Sequence, residues 1–150
     1  MYPAVLILHS WVRWIVLVAA AMALVSLLKP GVGARARADR AVFGLMIALD
    51  IQLLLGLLLY VALSPFTTVA LQDMGAAMRN PQLRFWAVEH VTMMFAAVIL
   101  VHVGRVLARK APTADSKRTK LLVCVGIAIL AILGGLPWPG TPNGRPFIRV

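Results

Sequence analysis

Six ionisable side chains within long apolar segments carry the chemistry that this sequence can offer. They are His9, Arg13, Asp50, Glu89, His90 and His102. Ionisable groups are costly to bury in a bilayer, so each of them is a candidate functional residue. An imidazole nitrogen can bind haem iron, accept a proton or form a hydrogen bond.

His9 and His90 fall at similar depths from one end of their segments. At a rise of about 1.5 Å per residue, His9 lies roughly 8 Å past Ala4, and His90 lies roughly 13 Å past Pro81. Two imidazoles at one level of a helical bundle can reach one iron from opposite faces of a haem. The spacing therefore predicts a bis-histidine site with His9 and His90 as the metal ligands.

Glycines and a tyrosine are predicted near the same level. Gly56 lies roughly 10 Å from the end of the second segment, and a glycine there would let a flat macrocycle approach the helix backbone. Tyr60 follows one turn later and would reach over the same slot. Gly134 and Gly135 lie near the same end of the fourth segment.

Arg13 and Glu89 are the charged neighbours of the two histidines. Arg13 is four residues after His9, on the same helix face, and Glu89 directly precedes His90. A buried pair of Arg13 and Glu89 would compensate both charges. Such a pair would either join two helices or serve a haem propionate, a histidine or a quinone head group.

Asp50 and His102 lie nearer the opposite end and are expected to approach each other. His102 is twelve residues after His90, which is about 120° around a helix, so the two histidines face different directions. Hydrogen bonding between helices, together with Gln52, is the favoured use of Asp50 and His102. A second haem at His102 would need a methionine such as Met22 or Met46.

These residues must be positioned by helices that cross a membrane. The chain has 150 residues, of which 61% are hydrophobic and 13% are charged, too little polar surface to cover a soluble core. Four apolar stretches are each long enough for a bilayer core of about 30 Å: Ala4 to Leu28, Ala41 to Leu63, Phe85 to Leu107 and Leu121 to Leu136. We expect an all-α, single-domain bundle with up-down-up-down topology.

The distribution of basic residues predicts the orientation of this bundle. Ten of the fifteen Lys and Arg residues lie after the first and third spans. They are Lys29, Arg35, Arg37, Arg40, Arg105, Arg109, Lys110, Lys117, Arg118 and Lys120. By the positive-inside rule these segments are cytoplasmic and both termini lie outside. The net charge of +10 therefore reflects orientation, and no nucleic-acid partner is expected.

The connecting segments carry recognisable signals. Ser64-Pro65 and Asn80-Pro81 are typical of helix starts, and apolar residues between Phe66 and Met78 predict a short interfacial helix on the outer face. The prolines between Pro137 and Val150 predict an extended tail. Positive charges follow the first span, the reverse of a signal peptide.

Four further residues have packing or anchoring roles in this interpretation. Cys124 lies within the fourth span and is expected to pack there. Trp11, Trp14 and Trp86 are expected to anchor the bundle at the membrane interface, with the walls of a pocket as their alternative role.

Several short motifs resemble a family of small bacterial four-span membrane proteins that are labelled cytochrome b. The motifs are His9-Ser10-Trp11-Val12-Arg13-Trp14, the run from Gln52 to Tyr60, Arg84-Phe85-Trp86-Ala87-Val88-Glu89-His90 with Met93-Met94, and Pro137-Trp138-Pro139. The resemblance implies haem b, electron transfer in the bacterial inner membrane, and His9 and His90 as the matching histidines. The resemblance also implies a histidine at the start of the second-span motif, where this chain has Asp50 instead, and this departure weakens the case for a second haem.

Three functions follow from these observations. The first is a b-type cytochrome that passes electrons between quinol and a respiratory or photosynthetic partner complex. The second is a haem-free accessory subunit of such a complex. The third is a quinone site built from His9, Arg13 and Glu89. The sequence has no glycine-rich phosphate loop and no zinc-ligand spacing, so we expect an electron-transfer component rather than a self-contained enzyme.

Overall fold

The structure, a computed structural model, describes residues 1–29, 31 and 33–146. Within them the regular elements are helical. They are α1 (Tyr2–Leu28), α2 (Ala34–Leu58) with a first π turn (Leu59–Leu63), α3 (Pro65–Gln72), α4 (Met74–Arg79), α5 (Pro81–Arg84) with a second π turn (Phe85–Glu89), α6 (His90–Arg109) and α7 (Ala114–Gly135). The protein is therefore all-α, as predicted.

Four of the described helices are long and apolar enough to cross a membrane. They are Tyr2–Leu28, Ala34–Leu63, Pro81–Arg109 and Ala114–Gly135. Three of them extend well beyond the apolar windows of the sequence, because residues with basic side chains continue the helix. Thr113 begins α7 by accepting a hydrogen bond from Ser116 N at 3.2 Å, and Asp115 favours the positive end of the helix.

Small and branched apolar side chains form the interior of the bundle. Small residues let membrane helices approach closely, since lipid supplies no hydrophobic drive for their association. Buried positions recur at three- and four-residue steps along each long helix: Val16, Ala20, Ala23 and Leu27; Ala38, Val42, Leu45 and Leu49; Ala97, Val101, Gly104 and Ala108; and Leu121, Val125, Ala128 and Ile132. The apolar side chains outside these seams are largely exposed.

Gly104 lets α6 lie close to α7. A Cβ atom at this position would lie 2.7 Å from the Cβ of Cys124. Cys124 is buried and has no disulfide, so its role is packing, as the sequence predicted.

The segment between the second and third long helices is stabilised by its own caps. The Asn80 side chain accepts hydrogen bonds from Gln82 N and Leu83 N at 3.0 and 3.1 Å. Thr67 Oγ1 donates to Tyr60 O at 2.7 Å and so pairs a carbonyl of the first π turn.

The described part of the C-terminal tail makes turns instead of running extended. Arg145 N donates to Pro137 O at 3.1 Å, and Trp138 Nε1 donates to Leu133 O at 2.8 Å. The prolines exclude a helix, as predicted, but these hydrogen bonds fold the segment back on itself. Pro30 of the first connection and residues 147–150 lie outside the described residues.

Candidate functional site

His9 of α1 and His90 of α6 meet at one end of the bundle. Their ring centroids are 6.4 Å apart, and the ring planes are inclined by 68°. Both side chains line a cavity of about 130 Å³ between the long helices. The prediction that these two histidines share one layer is confirmed.

Gln52 of α2 fixes the position of His9. Its Nε2 atom lies 3.1 Å from His9 Nε2 and 3.0 Å from His9 O. A backbone carbonyl can only accept, so the amide nitrogen is the donor to both atoms. His9 Nε2 therefore accepts, and the ring proton sits on Nδ1, which is buried and has no hydrogen-bond partner among the described residues.

His90 has the complementary arrangement. Its Nδ1 atom lies 2.7 Å from Gly135 O, and because the carbonyl accepts, Nδ1 carries the proton. The remaining nitrogen, Nε2, therefore has its lone pair available to a ligand. A Cβ atom on Gly135 would lie 2.8 Å from Met93 Cβ, so the missing side chain lets α7 pass this close to α6.

Gly56 lies against the His9 ring. A Cβ atom at this position would be 3.3 Å from His9 Cε1 and 3.8 Å from His9 Nδ1. Gly56 also lines the cavity, as expected, but the part of the α2 backbone at Gly56 is covered by the imidazole of His9.

Glu89 does not join Arg13, contrary to expectation. Its Oε1 atom is 2.6 Å from Arg84 Nε, and both side chains are largely exposed. The second π turn explains this pairing, because a turn closed by i to i+5 hydrogen bonds brings residues five apart onto one face. Among the described residues Arg13 lines the cavity but Glu89 does not, so the predicted brace between Arg13 and Glu89 is wrong.

Tyr60 and the two π turns border the cavity. Tyr60 Oη donates to Ala87 O at 2.9 Å, which joins the first π turn to the second. The side chain of Tyr60 also lines the cavity, in agreement with its predicted reach over the slot. π turns leave backbone groups out of the regular helix pattern and recur at functional sites.

Four further side chains border this site, and the sequence predicts their roles only in part. Gln52 is expected beside Asp50 and His102, although its position four residues before Gly56 puts both on one helix face. Trp86, expected first as an interfacial anchor and second as a pocket wall, has its ring centroid 5.5 Å from that of His90. Phe66 is expected only on the short interfacial helix and Arg145 only in the tail; the Arg145 guanidinium lies 5.1 Å from the ring centroids of both Phe66 and Trp86.

Trp86 and Gln52 each hold a polar atom without a partner. Trp86 Nε1 and Gln52 Oε1 are buried and, like His9 Nδ1, have no hydrogen-bond partner in the described part of the chain. A buried polar group left unpaired costs about 1–3 kcal/mol. Three such atoms on side chains that line one cavity are typical of a site completed by a ligand or by water.

Asp50 and His102 form a separate pair between α2 and α6. His102 Nε2 lies 3.6 Å from Asp50 Oδ2, which confirms their predicted approach. The same nitrogen would have to bind iron in a second haem site with Met22 or Met46, but it faces Asp50 instead. The structure does not bring that second site together.

The geometry of His9 and His90 fits a haem only in part. Two imidazoles that share one metal atom at roughly 2 Å from each nitrogen have centroids roughly 6 Å apart, which matches the observed 6.4 Å. The remaining features do not fit: Gln52 already donates to His9 Nε2, and the cavity is about 130 Å³, below the roughly 300–1,000 Å³ of pockets for larger ligands.

Comparisons with known proteins add no relative. No protein-family model, curated protein or solved structure matches the chain. The resemblance to the proteins labelled cytochrome b therefore stays a prediction, and the function must be argued from the site itself.

Proposed function

We propose that the protein binds the head group of a quinone or quinol between His9 and His90. The observation that carries this proposal is the cavity of about 130 Å³ with both imidazoles on its wall. An apolar cavity of about 150 Å³ accepts one benzene ring, so this volume suits a single six-membered ring. The aromatic side chains Tyr60, Phe66 and Trp86 on the same wall suit a planar ligand.

The tautomers of the two histidines support a ligand that exchanges protons. His9 offers a donor, Nδ1–H, to a quinone carbonyl, and His90 offers an acceptor, Nε2, to a quinol hydroxyl. His90 is then the base that receives one of the two quinol protons, the other leaves to water at the same end of the bundle, and His9 orients the ring. Electrons pass to a redox partner in the same membrane, such as a subunit of a respiratory or photosynthetic complex.

A b-type haem is the second candidate, favoured by the separation of the two rings. His9 and His90 would be its ligands, and haem would supply one-electron redox chemistry. Gln52 would have to leave His9, and the cavity would have to widen. The quinone proposal leaves Gln52 on His9 and needs a smaller widening of the cavity than haem does.

The proposal includes the orientation that the loop charges predict. The four long helices run up-down-up-down across a bacterial inner membrane, with both termini and the cavity on the periplasmic side. α3 and α4 lie on the outer face of that membrane. In this arrangement the ligand enters from the outer half of the bilayer.

Purified protein tests the proposal against haem. We expect no Soret or alpha band in oxidised or dithionite-reduced spectra, and we expect an organic extract to contain quinone. His90→Ala should lower the quinone content several-fold, and His102→Ala, which alters a histidine outside the cavity, should not. Haem bands that disappear in His9→Ala and His90→Ala would assign the site to haem instead.

A further inference from the structure

The exposed pair of Asp50 and His102 marks an interface, and we infer that a second copy of this chain covers it. The inference rests on the depth of the pair, its exposure and its charge, and it is independent of what the cavity binds. A second copy is the inferred partner because the acid of each chain can pair with the imidazole of the other.

The pair lies well inside the membrane-spanning part of the bundle. Asp50 is ten residues past Arg40 and His102 is seven residues before Arg109, which correspond to roughly 15 Å and 10 Å of helix. Both depths fall within a bilayer core of about 30 Å. Arg105 lies one helical turn from His102, so the pair lies within the span but towards the end that carries the basic residues.

The pair is nevertheless open to the outside of the bundle. The side chain of Asp50 is 36% exposed and that of His102 is 44% exposed. Exposed apolar residues surround them on both helices: Ile47, Ile51 and Leu54 on α2, and Ile99, Val103 and Val106 on α6. In a lone bundle this acid and this imidazole would face lipid tails, where polar groups are costly.

The bonding within one chain leaves the pair unsatisfied. His102 Nδ1 lies 2.9 Å from Val98 O and donates to it, so Nε2 is the nitrogen that faces Asp50. At 3.6 Å the contact is longer than a good hydrogen bond. One proton shared by the two groups keeps the pair neutral overall, but both groups retain capacity for further hydrogen bonds.

A second copy supplies the missing partners at the correct depth. A two-fold axis normal to the membrane keeps equivalent residues at one level, so Asp50 of each copy meets His102 of the other. An acid next to an imidazole is complementary to its own rotated image. The shallow groove of about 480 Å³ that runs between α2 and α6, from Leu57 to Ile99, extends the same face and gives the second copy a surface to fill.

Cysteine cross-linking in membranes tests this interface. Leu54 on α2 and Leu130 on α7 are equally exposed, at 68% and 69%, but only Leu54 lies one turn from Asp50. In a Cys124→Ala background, Leu54→Cys should form disulfide-linked dimers under mild oxidation, and Leu130→Cys should not. Light scattering of the wild-type protein in detergent should give the mass of a dimer.

Removing the pair provides the second measurement. Asp50→Leu suits a lipid-facing surface but removes the bonds of an interface, so we expect a dimer weakened roughly tenfold with unchanged helix content by circular dichroism. A monomeric mass for the wild-type protein, equal cross-linking at both positions, or cross-linking of Leu54→Cys to a different membrane protein would overturn the inference. If Asp50→Leu does not fold, the comparison of Leu54→Cys with Leu130→Cys still tests the interface, because both variants keep Asp50.

Discussion

The absence of a side chain at Gly56 determines where the His9 ring can lie. Because a Cβ atom would sit 3.3 Å from His9 Cε1, Gly56→Ala should displace the ring by a few tenths of an ångström. We expect quinone affinity to fall roughly tenfold, which is about 1.4 kcal/mol, while the fold persists. Equilibrium titration of the purified variant measures this change.

A second glycine of α2 is the control for this substitution. Gly44 has no atom within 4 Å of an added Cβ, so Gly44→Ala should leave binding unchanged and stabilise the helix by about 0.5–1 kcal/mol. Equal losses of affinity in both variants would show that Gly56 acts through the helix and not through His9.

Gln52 should be needed to hold His9 in its acceptor tautomer. Gln52→Leu removes the donor to both His9 Nε2 and His9 O, so we expect affinity for quinone to fall roughly tenfold. Gln52→Glu keeps the size of the side chain but loses the amide donor, so its affinity for quinone should fall as much as that of Gln52→Leu. Gln72→Leu, at the exposed end of α3, is the control, and a loss of affinity there would contradict the specific role of Gln52.

At the residue scale, sequence reasoning found the histidines but not their partners. Depth along a helix follows from residue counting, so the meeting of His9 and His90 could be predicted. The partner of Glu89 depends on a π turn, which changes the angular spacing and has no clear sequence signal. The partner of Gln52 was predicted wrongly because Gln52 shares the helix face of Gly56, whereas Asp50 lies on a different face of α2.

At the scale of elements, the packing of α6 on α7 depends on Gly104. A Cβ atom there would overlap the Cβ of Cys124 at 2.7 Å, so Gly104→Ala should push the two helices apart. Overpacking of this kind costs about 1–3 kcal/mol, and we expect a lower thermal unfolding temperature in detergent. Gly126→Ala, where an added Cβ meets no atom within 4 Å, should not lower it; equal temperatures for both variants would contradict this account.

The elements themselves were largely predictable, and the differences have physical causes. Hydrophobic stretches locate the four long helices, because a membrane span must satisfy its own backbone hydrogen bonds. The same stretches do not show where a helix ends, since basic residues such as Arg37 and Lys117 continue it outside the apolar part. The turns of the tail depend on hydrogen bonds such as Arg145 N to Pro137 O, which proline content does not reveal.

At the scale of the whole molecule, the bundle places two kinds of polar group at two different levels. The cavity with His9 and His90 lies near one end, and Asp50 with His102 lies deeper and faces outward. The first arrangement suits a small redox ligand, and the second suits a protein partner. In this account one chain binds the ligand and a pair of chains forms the stable unit in the membrane.

Titration with a short-chain quinone tests the central claim most directly. Trp86 lies beside His90, so binding should quench tryptophan fluorescence of the purified protein. The account predicts saturable quenching at one quinone per chain, weakened roughly tenfold or more in His9→Ala and His90→Ala and unchanged in His102→Ala. Quenching that does not saturate, or that is the same in all four proteins, would contradict the assignment of the cavity as a quinone site.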